Sequence, residues 1–323
     1  MDDASADVLM KFLDSWPVHE RVVPRHWMEM LRDGAKVPWL RSAVYWRHDH
    51  EVFDADGLVG LFKPSFIRPF RGVDFSEASL GDDRLKRILG RRRKLSIQHL
   101  DLRLNGLSSV SLEHILSAST LARQVQFLGL SSNPSMDGHE VCGRLARSRK
   151  LDKLCQLDLS GNGFDDDHIK HLIYSRQMSG LNALNLHGNA LTDDGVTMLA
   201  RSPYLGRLQS IDLSDQTECG DLSAKVLANS DVLRRTKHIF LANNNITSEG
   251  VLQFVRRDNL ALKTLDLRHN LIDDRGARAL MRNTVAEQVE LAGNPLSPGL
   301  KRELLNADVL GPQTSTLWAA SDA

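Results

Sequence analysis

Two short runs bring metal-ligand residue types together: Asp165-Asp166-Asp167-His168 with His171, and His48-Asp49-His50-Glu51. Carboxylates and imidazoles are the donors that zinc and harder cations take, but a site needs several of them converging from separate turns of chain. Neither run has a second ligand set at a recognisable spacing. The first also reads as a helix start, where acidic residues are favoured by the helix dipole. No metal and no cofactor are expected. The cysteines Cys142, Cys155 and Cys219 are odd in number, widely spaced and without metal-ligand spacing. They suit packing of small side chains in a reducing, cytoplasmic setting. Gly-x-Ser-x-Gly, a phosphate-cradling Gly-rich loop and His-Glu-x-x-His are all absent, so no catalytic residue is assigned and an enzyme is not expected.

Charge narrows the partners. Lys plus Arg number 41, as do Asp plus Glu, so the formal charge is zero and nothing draws the chain over distance to nucleic acid or anionic membrane. The basic run Arg91-Arg92-Arg93-Lys94 has no aromatic residues interleaved for base stacking and reads as a solvated face. The opening Met1-Asp2-Asp3 is acidic where a secretory leader is basic and then apolar. No stretch approaches the roughly 20 apolar residues of a membrane span. The expected protein is cytoplasmic and monomeric, binding neither nucleic acid nor membrane.

What organises these residues is a repeat. The phrase apolar-x-apolar-x-x-Asn-x-apolar reads Leu100-Asp-Leu102-Arg-Leu-Asn105-Gly-Leu107, then Leu157-Asp-Leu159-Ser-Gly-Asn162-Gly-Phe164, then Leu184-Asn-Leu186-His-Gly-Asn189-Ala-Leu191. Its leading apolar residues fall at 73, 100, 128, 157, 184, 211, 239, 265 and 289, in steps of 24 to 29. The alternating apolar pair predicts a short strand with one face in the core. The Asn follows where the chain turns, and its amide both donates and accepts, so it satisfies backbone groups the turn would bury unpaired. Ala78 and Gln216 replace it in two copies, and local loosening is expected there. Thr192-Asp-Asp-Gly195, Thr247-Ser-Glu-Gly250 and Asp273-Asp-Arg-Gly276 then supply helix caps. Returning segments such as Leu151-x-x-Leu154-x-x-Leu157 and Leu205-x-x-Leu208-x-x-Ile211 lead into the next strand.

Helices are about 10 Å across and paired strands only about 4.8 Å apart, so stacking such units bends the array. The expected fold is an α/β, right-handed solenoid or horseshoe, with a parallel sheet on the concave side and helices on the convex side. Period-two alternation places the residue between the two strand leucines on the concave face: Asp74, Asp101, Gly129, Asp158, Asn185, Asp212, Phe240, Asp266 and Glu290. Neighbouring columns add Arg103, Arg268, His99, His187, His238 and Phe127. From these, Asp101, Arg103, Phe127, Asp158, His187, Asp212, Phe240, Asp266 and Arg268 are the candidate partner-binding residues. An acidic spine with aromatic anchors has the makings of an interaction surface. The alternative is that Leu-Asp-Leu is the repeat's own wording, its aspartates solvated or paired with neighbours. Phe240 likewise either packs sideways on its neighbours or anchors a partner.

On these residues the chain resembles the ribonuclease-inhibitor-like class of leucine-rich repeat proteins, whose units hold a full helix. Ser202-Pro-x-Leu205-x-x-Leu208-x-Ser-Ile211-Asp-Leu213 is also similar to repeat arrays in bacterial proteins of unassigned function. The resemblance implies a protein-binding surface, because the fold hosts many roles. Three segments follow: a helical N-terminal cap over 1–69, holding four of the five tryptophans; the repeats over 70–307; and a flexible tail over 308–323. The leading expectation is a non-catalytic scaffold that binds a protein partner through the concave face. Residues 23–46, with a Pro, a helical Met-Leu run and a terminal Trp, also suggest an F-box-like adaptor in protein degradation. Relatives of the repeat class further suggest a regulator of an enzyme or small GTPase.

Overall fold

A computed structural model describes residues 45–47, 71–90, 97–257, 262–283 and 285–307. The chain divides into two compact units: residues 1–137 with 148–154, and 138–147 with 155–323. The runs at 48–51 and 91–94, the tail at 308–323, and all but the last two residues of the F-box-like segment lie outside the described residues.

In the first unit, strands β1 (Tyr45–Arg47), β2 (Gly72–Asp74), β3 (His99–Asp101) and β4 (Phe127–Gly129) pair in parallel and in chain order. Helices α1 (Gly81–Leu89), α2 (Ser109–Ser117) and α3 (Ser119–Ala122) connect them. The register aligns Trp46, Val73, Leu100 and Leu128. β1 therefore falls one period ahead of the first copy read from the sequence, inside the segment expected to be a helical cap.

The second unit opens with α4 (Gly138–Arg147) and alternates β5 (Gln156–Asp158), α5 (Asp166–Ile173), β6 (Ala183–Asn185), α6 (Asp193–Ala200), β7 (Ser210–Asp212) and α7 (Asp221–Ala228). β8 (His238–Phe240), α8 (Ser248–Val255), β9 (Leu262–Asp266), α9 (Asp274–Arg282), β10 (Ala286–Glu290) and α10 (Pro298–Ala307) complete it. Its six strands are parallel neighbours, aligning Leu157, Leu184, Ile211, Ile239, Leu265 and Val289. The apolar letters of the repeat are the core: from Val73 to Val289, no leading strand residue is more than 3% exposed. Burying each such side chain stabilises the fold by about 1.5–3 kcal/mol.

Three ladders of polar groups join successive repeats. In the first, each turn asparagine serves two copies at once. Asn270 Oδ1 accepts from the Ile246 amide (3.0 Å), while its Nδ2 donates to the carbonyls of Leu241 (2.8 Å) and Leu267 (3.1 Å). The expected loosening at Gln216 does not occur. Gln216 Oε1 accepts from Leu191 N (3.0 Å) and Nε2 donates to Leu186 O (2.8 Å), and the side chain is fully buried. One extra residue lies between Gln216 and Cys219, compared with Asn189 to Leu191, and the longer amide spans the wider turn. At Ala78 the following copy still holds the turn in the ordinary way: Asn105 accepts from Leu80 N (3.1 Å) and donates to Phe75 O (2.8 Å), as Asn133 does for Leu107 N and Leu102 O.

The second ladder runs along the helix starts. Asp166 accepts from Thr192 N (3.0 Å) and Oγ1 (2.6 Å), Asp221 from Thr247 N and Oγ1 (both 2.7 Å), and Asp274 from Ser297 N (2.7 Å) and Oγ (2.5 Å). Each acid thus holds the cap of the next helix. Gly195 and Gly250 are glycine for this reason. A Cβ at 195 would overlap Asp166 Oδ1, and one at 250 would lie 2.5 Å from Asp221 Oδ1. In the third ladder, Ser202 Oγ donates to Ile173 O (2.5 Å) and Ser230 Oγ to Ala200 O (2.6 Å), satisfying carbonyls at helix ends.

Candidate functional site

The aspartates of the strand column each begin with a local duty. Asp74, Asp101, Asp158, Asp212 and Asp266 all accept, through Oδ1, from the backbone amide two residues on, at 2.8–3.1 Å. Asn185 does the same for His187 N (3.0 Å). This side-chain turn pins the chain as it leaves the strand. It explains why Leu-Asp-Leu is the repeat's wording, and why Asp74, Asp101 and Asp266 are buried. The remaining oxygens differ. Arg103 folds back onto Asp101 (3.2 Å) and Arg268 onto Asp266 (2.7 Å), with a second contact from Arg268 to Glu290 (3.0 Å). Hydrogen bonding to Asp266, then the nearby charges of Asp266, Glu290 and Asp212, raise the Arg268 pKa above its ordinary value despite partial burial.

In the first unit Phe127 lies stacked on His99, ring centroids 3.9 Å apart. Burial there lowers the imidazole pKa; Arg103 adds to the effect and Asp74 opposes it. Phe127 is thus occupied by a neighbour. Phe240, half-buried between Asp212 and Asp266 in the register, stacks on no other ring among the described residues.

The second unit gathers five of the nine candidates around one concavity of about 670 Å³: His187, Asp212, Phe240, Asp266 and Arg268. Its lining also includes the small side chains of Ser214 and Ala242, together with Asp215, Asn243 and His269. Asp158 lies on the same sheet but outside this lining, and Asp101, Arg103 and Phe127 belong to the first unit.

Asp215, Asn243 and His269 were not singled out in the sequence, yet they share one slot, just before the turn amide. The backbone there is left-handed, with φ of 57°, 52° and 52°. Glycine adopts that conformation without cost, and Gly161, Gly188 and Gly293 fill the slot in the other copies of the second unit, while Glu77, Leu104 and Ser132 hold it in the first. Three consecutive repeats instead carry polar side chains that line the concavity. Asp215 Oδ2 pairs with His187 Nε2 (3.1 Å), and Asn243 Nδ2 donates to Asp215 Oδ1. A run of three polar residues in a slot that glycine holds in the flanking copies, at Gly188 and Gly293, is the signal that would have found them.

The candidate metal run has another use. Asp165 Oδ1 accepts from His168 N (3.1 Å) and Asp165 N donates to His168 Nδ1 (3.0 Å), a reciprocal cap on α5. Asp166 belongs to the helix-start ladder. No group of three or more His, Cys, Asp or Glu among the described residues is placed to hold a metal ion.

A family model described as Leucine Rich repeat matches residues 180–200 and 259–281. Among solved structures, an internalin from Listeria monocytogenes is similar over 76% of this chain and 66% of its own length, at 18% identity and a TM-score of 0.46. No curated protein matches the sequence. The matched segments are two copies of a unit whose strands and turn amides recur within the second unit. The chain thus contains leucine-rich repeats.

Proposed function

We propose that the protein is a non-catalytic scaffold that binds a protein partner through the open sheet face of its second unit, centred on the concavity around Phe240. Fold alone supports interaction in general, since repeats of this kind host many roles. The choice of face rests on one observation. Asp215, Asn243 and His269 occupy left-handed positions that glycine holds in the other copies of the second unit, and their side chains line one open concavity. Side chains kept where the backbone prefers glycine favour a role for the side chain itself. Phe240, half-buried and stacked on no described ring, offers the aromatic contact area that interfaces use.

A photo-crosslinking residue placed at Ala242, within the lining, and at Glu249, on α8, tests the reading in the intact protein. Crosslinks to a protein from 242, competed by unlabelled protein and absent from 249, are the expected result. Crosslinks from 249 alone would move the site to the helices.

A further inference from the structure

We propose that this concavity receives a basic side chain of the partner, an arginine in particular, laid over Phe240 with its guanidinium against Asp212. The proposal rests on the reading that a partner docks on this face, and it adds the chemistry of the group received. On the strands of the second unit, Asp158, Asp212, Asp266 and Glu290 occupy the outward column, and Asp215 stands on the rim. Against them stands Arg268, already held by Asp266 (2.7 Å) and Glu290 (3.0 Å). The charge left over is negative.

Asp212 carries it in the most usable form. Its Oδ1 accepts from Ser214 N (2.9 Å), and its Oδ2 makes no hydrogen bond or ion pair among the described residues, Arg268 acting on it only as a nearby charge. Phe240 is its direct neighbour in the parallel register, one strand spacing of about 4.8 Å away. An open carboxylate oxygen beside an aromatic side chain suits a guanidinium, which is planar, always charged and stacks on rings. Lysine meets the charge but not the plane. Two residues on, Ser214 and Ala242 are small, which leaves depth for a long side chain. An acidic group would meet Asp212 and have to displace Asp266 and Glu290 from Arg268. An apolar group would strip water from carboxylates and give nothing back.

The test uses intact protein and three fluorescein-labelled probes of equal length in a Gly-Ser background, bearing three arginines, three lysines or three glutamates, read by anisotropy. The arginine probe should bind best, and its affinity should fall as salt rises. Asp212→Asn and Phe240→Ala should each weaken it about three- to tenfold, with circular dichroism unchanged, whereas Asp83→Asn on α1 should leave it as it was. Tighter binding of the glutamate probe, or arginine binding indifferent to both variants, would overturn the proposal. The crosslink from position 242 separates the two failures. Its persistence without arginine binding overturns the arginine assignment and leaves the face, and loss of both removes the face as well.

Discussion

Replacing Asn270 by alanine isolates what one turn amide does for two repeats. The side chain is 3% exposed, so water does not compensate for what it leaves. Its Oδ1 is the acceptor for the Ile246 amide (3.0 Å), and that N–H has no other partner in the ladder. An orphaned buried donor costs about 1–3 kcal/mol. The carbonyls lose less. Leu241 O keeps the Asn244 amide (3.2 Å) and Leu267 O keeps that of Asn294 (2.8 Å), so each lost bond costs about 0.5–1 kcal/mol. Asn270→Ala should therefore lower stability by about 2–5 kcal/mol, as much as truncating a core leucine. Asn270→Asp keeps an acceptor for Ile246 but turns an oxygen towards the carbonyls of Leu241, Leu267 and Arg268 at 2.8–3.1 Å, and should cost more still. Urea unfolding followed by circular dichroism measures both. A loss below about 0.5 kcal/mol for alanine, or an aspartate variant as stable as the native protein, would refute the view that the ladder holds the repeats together.

Gly195→Ala drives a Cβ into Asp166 Oδ1 and breaks its bonds to Thr192, so it should lower the melting temperature despite alanine's helix propensity, which favours it by about 1 kcal/mol; Gly206→Ala, with no atom within 4 Å, should not. Asp273 has its pKa lowered, first by the Ser248 hydroxyl and then by the amides of Gly276 and Arg275. A depressed carboxylate contributes stability above its unfolded pKa, about 3.9, and that contribution is lost as pH falls through the folded value. Ser248→Ala should bring the Asp273 titration, followed by carboxyl NMR, back up towards the ordinary range. Burial pushes the thiols of Cys142 and Cys219 up to about 12, with neighbouring carboxylates adding to it. Cys155 is raised less far and only half-buried, so it should be alkylated first at pH 8, the others following on unfolding.

The strands, turns and helix starts were legible because each follows from a local rule: alternation, an amide at a turn, a cap before a helix. What escaped was what neighbouring copies do for one another. Glycine at 195 reads in the sequence as a weak helix residue and in the structure as clearance for Asp166 from the previous helix. Gln216 reads as a lapse, yet its extra methylene matches an extra residue in the same turn. β1 was missed because Tyr45-Trp46-Arg47 carries none of the leucine wording, although Trp46 stands 27 residues before its register partner Val73. The aspartate column was read correctly in place but only partly in purpose, since one oxygen of each carboxylate is committed to its own backbone.

That commitment shifts attention from what the repeats share to where they differ. Residues that recur from copy to copy, such as the strand aspartate, are explained by holding the copy together; Asp215, Asn243 and His269 are not. Asn243→Gly puts the distinction to measurement. Glycine relieves the left-handed backbone, worth up to about 1 kcal/mol for a residue that already tolerates that region, and forfeits one exposed hydrogen bond to Asp215. Stability should stay within about 1 kcal/mol of the native protein, or rise. Crosslinking from position 242 should nonetheless fall, because a rim side chain is gone and Asp215 is left to His187 alone. A marked loss of stability with unchanged crosslinking would make Asn243 a structural residue after all, and would remove the reason for preferring this stretch of sheet.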